Sequence, residues 1–196
     1  RAVNIILNLC KFGGADILAA IDTAGIVPLL MDVLKDETSQ PDFASRCLIV
    51  LGKVAWSQHA KNLMGSDSEF LSRVSSYLKF SGGFKRLGNT LHLLVLLREI
   101  TQVPSICEFF VTASSDVDIF QSVLEIFERD FEETKLQALA VLSNLVANDR
   151  IKAAINQSNF LNSIVEIIKR PPAQVHLQLS LTSLLNVVNN NPTNQS

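Results

Sequence analysis

Apolar residues recur along this chain at helical spacing, and one apolar cluster returns at long, near-constant intervals. The segments Ile6-Leu7-Asn8-Leu9, Leu51-Gly52-Lys53-Val54, Leu97-Arg98-Glu99-Ile100, Leu142-Ser143-Asn144-Leu145 and Leu184-Leu185-Asn186-Val187 each place two apolar residues three apart around a polar one. Those polar positions, 8, 53, 99, 144 and 186, lie 45, 46, 45 and 42 residues apart. Such a period is that of a helical repeat array.

A second register advances with the first. Ile26-Val27, Phe70-Leu71, Ile119-Phe120 and Phe160-Leu161 each open a helix-period run, continuing through Leu30 and Leu34, Val74 and Leu78, Val123 and Phe127, and Ile164 and Ile168. Shorter amphipathic pieces, Ile17 to Ile21, Ile106 to Val111 and Ile151 to Ile155, precede these runs. Each unit therefore reads as a short first helix, a middle helix and a long last helix.

Prolines fall where this reading needs breaks. Pro41 and the Pro171-Pro172 pair precede long helices, Pro104 lies at a unit boundary and Pro192 follows the last helix; proline lacks the N–H a helix interior requires. Pro28 sits within an apolar run, where the first turn of a helix tolerates it. The units run 15–56, 57–102, 103–148 and 149–191, after the end of another unit at 1–14 and before a frayed tail at 192–196. An α-solenoid of three-helix repeats is expected; two-helix HEAT-like repeats or a helix bundle are the alternatives.

Composition narrows the function classes. The 196 residues are 47% hydrophobic and only 18% charged, which suits helices covered on much of their circumference by neighbours. A net charge of -2 gives no general attraction to nucleic acid or anionic membrane. No apolar run approaches the roughly 18 to 20 residues that span a bilayer, so membrane insertion is not expected. The three cysteines, Cys10, Cys47 and Cys107, are widely spaced in apolar stretches, which fits core positions in a reducing compartment. The expected location is the cytoplasm, with the nucleus also open. A chain opening at Arg1 within a last helix is expected to be a fragment of a longer intracellular protein, with further repeats or a capping element upstream.

The stretch Ala24-Gly25-Ile26-Val27-Pro28-Leu29-Leu30 resembles the start of an armadillo repeat's second helix, and Ala138-Leu139-Ala140-Val141-Leu142-Ser143-Asn144-Leu145 resembles its third helix. The resemblance covers nearly the whole chain and implies a right-handed α-solenoid. It implies a concave groove lined by third helices, where a recurring asparagine hydrogen-bonds the backbone of an extended peptide; a side-chain amide offers both a donor and an acceptor for that task. Asn8, Asn144 and Asn186 hold this place, whereas Lys53 and Glu99 replace it in the two middle units. The tryptophans that nuclear-import adaptors of the family carry four residues earlier are absent: Asn4, Ile49, Val95, Ala140 and Thr182 stand there. The catenin-like type is the nearer likeness.

Seven residues before three of these polar positions lie Arg46, His92 and Gln137, on the same helical face. The candidate groove is thus Asn8, Arg46, Lys53, His92, Glu99, Gln137, Asn144 and Asn186. With helices packed about 8 to 10 Å apart, five of them span on the order of 40 Å, room for about twelve extended residues at roughly 3.3 Å each. Arg46 and Lys53 favour a ligand carboxylate or phosphate, and Glu99 favours a basic residue one repeat on.

Other motifs carry less. His59, His92 and His176 have no carboxylate or cysteine at metal-ligand spacing, and Gly13-Gly14 and Gly82-Gly83 lack the Gly-Lys-Ser/Thr ending of a phosphate loop. No metal or cofactor is expected. Ser66 or Ser68 is expected to cap the middle helix that follows. No nucleophile, base and oxyanion arrangement is visible. The expected function is a protein-interaction scaffold or adaptor, not an enzyme, binding an extended, charge-patterned segment of a partner protein. The alternative is docking or self-association through edges or the convex face, or service as the regulatory arm of a larger enzyme.

Overall fold

The computed structural model describes residues 2–36, 41–79, 87–112, 119–129, 132–148, 151, 155, 159–169, 178 and 180–185. The chain is all-helical, with no strand among the described residues. Its helices are α1 (Ala2–Phe12), α2 (Ala15–Thr23), α3 (Ile26–Lys35), α4 (Pro41–Val54), α5 (Gln58–Ser66), α6 (Ser68–Lys79), α7 (Leu87–Ile100), α8 (Pro104–Thr112), α9 (Ile119–Arg129), α10 (Glu132–Leu145) and α11 (Phe160–Lys169). Residues 180–185 are also helical. Gly82-Gly83, Pro171-Pro172, Pro192 and the 192–196 tail lie outside the described residues. Two compact units divide the chain, Arg1–Ile106 and Cys107–Ser196.

In the first unit α2, α3 and α4 pack on one another, and so do α5, α6 and α7. Like elements also pair: α4 packs between α1 and α7, and α3 packs on α6. The sequence pattern explains which faces meet. On α3 the buried residues are Val27, Leu30, Met31 and Leu34, the one-sided stripe of an amphipathic helix. On α4 burial extends round more of the helix, through Ala44, Cys47, Leu48, Val50, Leu51 and Val54, because it has neighbours on several sides. Gly52 sets the α4–α7 approach: a Cβ there would lie 3.3 Å from Val95 Cγ1 and 3.5 Å from the Leu96 backbone nitrogen.

Local chemistry fixes the helix ends. Gly25 takes the left-handed conformation (φ 69, ψ 23) between α2 and α3, where a side chain would be strained. Pro41 and Pro104 open α4 and α8, positions where no helical N–H is required. The cap of α6 is Asp67 and not a serine: its Oδ1 accepts from the Phe70 backbone N–H at 2.9 Å, while Ser66 Oγ donates back to the Leu63 carbonyl. Ser66 is the last residue of α5 and Ser68 the first of α6, so the cap position falls to the Asp67 between them and the serine expectation fails.

Side-chain bonds join neighbouring layers of this unit. Lys35 Nζ donates to Asp67 Oδ2 at 2.8 Å, linking the end of α3 to the start of α6. Burial pushes the Asp67 carboxyl up, but the hydrogen bonds from Lys35 and from the Phe70 and Glu69 N–H groups outweigh it and hold the group below its ordinary range. Lys35 is in turn held above its ordinary value by hydrogen bonds to Asp32 and Asp67.

In the second unit α9 packs on α10. Phe160 is fully buried, and the rings of Phe120 and Phe127 meet it edge-on at 6.0 and 6.4 Å. Ala138, Leu139, Val141, Leu142 and Leu145 of α10 are buried without exposure.

Candidate functional site

Asn4 and Asn8 lie one turn apart on α1, and Arg46 and Lys53 two turns apart on α4; all four side chains are exposed. A direct bond orients the two rows: Arg46 Nη1 donates to Asn4 Oδ1 at 2.6 Å. Helical geometry then places Asn8 beside Asn4 and Lys53 in line with Arg46. The structure therefore brings Asn8, Arg46 and Lys53 to one face of the α1–α4 pair. Asn4, passed over as a replaced tryptophan position, is the residue that ties Arg46 down.

The next helix differs. His92 on α7 is half-buried and engaged in an interaction of its own. Glu99 is only 14% exposed, and its carboxylate accepts from Arg98 Nε at 2.8 Å and Nη2 at 2.5 Å. Lys61 Nζ lies 3.9 Å from the other oxygen, to which Gln102 Nε2 donates at 3.4 Å. Lys61 is itself buried and donates to Gln102 Oε1 at 2.6 Å. Two neighbouring cations thus already match the Glu99 charge.

In the second unit Gln137 and Asn144 are half-buried on α10, each with an interaction of its own. The Asn144 backbone carbonyl accepts from Cys107 Sγ at 3.9 Å and from the Ala147 N–H at 3.4 Å. Asn186 and His176 lie outside the described residues, as do Asn189, Asn190 and Asn191.

The cysteines are buried and poorly ionised. Burial pushes the Cys47 thiol up to about 11 and the Cys107 thiol up to about 12. Burial raises Cys10 as well, against a smaller opposing pull from the Lys53 charge. No group of three or more histidine, cysteine or acidic side chains could hold a metal among the described residues.

Sequence reasoning missed a buried acid. Asp22, at the end of α2, is 5% exposed. Its Oδ2 accepts from Ser57 Oγ at 2.5 Å, and its Oδ1 lies 2.9 Å from His59 Nδ1. Ser57 also caps α5, accepting from the Ala60 N–H. With both Asp22 oxygens engaged and His59 on the solvent side, the trio fastens one layer to the next. Ser57 and His59 lie 35 and 37 residues beyond Asp22, and no motif in the sequence marks the pairing.

No single helix among the described residues is long and apolar enough to cross a membrane. The bent α2–α3 pair has the length and composition, but Ile21, Val27, Leu30, Met31 and Leu34 of that pair are buried. No protein-family model matches the chain, and no curated protein matches it significantly.

Proposed function

We propose that this chain is a protein-binding scaffold of armadillo-type three-helix repeats, in which the last helix of each repeat presents polar side chains to an extended segment of a partner protein. The observation that carries the reading is the α1–α4–α7 arrangement, like elements side by side, with Asn4, Asn8, Arg46 and Lys53 exposed on one face. Paired triplets α2–α3–α4 and α5–α6–α7 support the repeat assignment. Asparagine and arginine side chains suit a peptide backbone and its carboxylates, since both donate several hydrogen bonds without a buried partner to displace. Gln137 and Asn144 of α10 supply the same kind of polar pair in the second unit. No catalytic step is assigned to any residue.

The test is selection from a displayed library of random twelve-residue peptides against the wild-type chain and against an Arg46→Glu, Lys53→Glu double variant of equal helicity by circular dichroism. Peptides retained by the wild type and lost from the variant support the reading. A library that yields no binder sinks it.

A second reading rests on α1, where Ile5, Leu9 and Phe12 are 62%, 42% and 79% exposed. They fall at positions i, i+4 and i+7, one apolar stripe, which suits edge docking or self-association. Sedimentation velocity over a concentration series tests it: a mass that rises in the wild type and not in Ile5→Ser, Phe12→Ser supports docking between copies.

A further inference from the structure

Arg46 and Lys53 are seven residues apart on α4, so they leave the same side of the helix about 10 Å from one another. Asn4 Oδ1 accepts a single N–H of Arg46, and a guanidinium carries five. Lys53 is exposed. Among the acids of the first unit's polar face, Glu99 is matched by Arg98 and Lys61. Asp42, one turn before Arg46, is exposed and already engaged. Lys11, one turn beyond Asn8, adds a further exposed cation, its Nζ 5.4 Å over the Phe12 ring. Cations therefore dominate the α1–α4 part of the face, which suits the acidic part of the charge-patterned segment expected from the sequence.

Adjacent side chains of an extended chain point to opposite sides. A segment crossing α4 between its two cations sends one side chain toward Arg46 and the next toward Lys53. We infer that this face takes an acidic segment of a partner protein through two consecutive carboxylates, the first bound by Arg46 and the second by Lys53. The inference rests on the groove reading above. It makes a distinction that charge alone does not: two acids separated by one residue share a side and reach only one cation.

The experiment is fluorescence anisotropy with the full chain and four labelled twelve-residue peptides of Ser and Gly: one with adjacent Glu-Glu, one with Glu-Ser-Glu, one with Lys-Lys and one neutral. The Glu-Glu peptide is expected to bind about 5-fold more tightly than Glu-Ser-Glu, the effect of one additional exposed ion pair, and the Lys-Lys peptide not at all. Lys53→Glu should abolish that preference, and a Glu-Lys peptide should recover it on this variant, which a merely misfolded protein would not allow. Equal binding of the two acidic peptides overturns the inference, as does acidic binding no tighter than neutral while library-selected peptides still bind. If neither the acidic nor any library-selected peptide binds, the groove reading falls with it.

Discussion

The hydroxyl of Tyr77 donates to the carbonyl oxygen of Leu34 at 3.0 Å, so a side chain from α6 closes the last turn of α3. Arg73 Nε reaches the same oxygen at 3.3 Å, and its guanidinium stacks 5.1 Å above the Tyr77 ring. The final carbonyls of a helix have no partner within it, and here the neighbouring layer supplies one.

Tyr77→Phe removes that hydroxyl from a buried site while Arg73 still serves the carbonyl. A loss of about 1 kcal/mol follows, the net worth of one hydrogen bond without the full cost of an orphaned acceptor. Urea unfolding of the two proteins measures it. Identical midpoints would mean that Arg73 alone satisfies Leu34.

The Lys35–Asp67 pair makes stability depend on pH. Asp67 is held below its ordinary value, so its contribution is complete above the unfolded carboxyl value, near pH 4, and is lost as pH falls through the lower folded value. Lys35 is raised, so its contribution is complete below about pH 10.4 and is lost only at still higher pH. Asp67→Asn keeps a capping oxygen but removes the charge. The gap between wild type and variant, about 1 kcal/mol, should stay constant from about pH 5 to 9 and close below about pH 4. A gap independent of pH down to about pH 2 would assign it to packing.

Much of the fold was legible because helix position follows from apolar periodicity, and each of the two registers falls on observed helices wherever the chain is described. Val27, Leu30 and Leu34 show why: a stripe at helical spacing has only one face to bury. The candidate face was legible at Arg46 and Lys53, which geometry puts in line on α4. Two features were not. Glu99 read as a free charge although Arg98 stands next to it; its second cation, Lys61, belongs to another helix, and a periodic pattern carries no information on cross-helix pairing. The same reason hid Asn4, whose role appears only when Arg46 folds back on it.

Gly52 separates two opposing effects. Alanine gains roughly 1 kcal/mol of helix propensity over glycine, but its Cβ would press on Val95 and the Leu96 backbone. Gly52→Ala should fall within about 1 kcal/mol of neutral. Gly52→Val adds bulk that the α4–α7 contact has no space for, and should cost about 1–3 kcal/mol. Thermal melts of both variants decide the matter; a tolerated valine would show that α7 moves away freely.

The thiols of Cys10, Cys47 and Cys107 are buried, and burial raises the pKa of each. The thiolate is the reactive form, so labelling by a disulfide reagent at pH 8 should be slow in the native protein and rapid in denaturant. Fast native labelling of Cys107, whose thiol is pushed up to about 12, would show local opening of α8.

The layer-to-layer ties of the first unit share one property. Lys35 with Asp67 spans 32 residues, Asp22 with Ser57 35, and Leu34 with Tyr77 43. None of these three reaches beyond the adjoining layer, so forming them does not require closing a loop the length of the chain, whose entropy grows with its size. Such a connectivity permits ordering to begin at any pair of layers and spread outward. During synthesis the first layers can settle while the rest is still being made, and under tension the unit is expected to come apart from its ends inward.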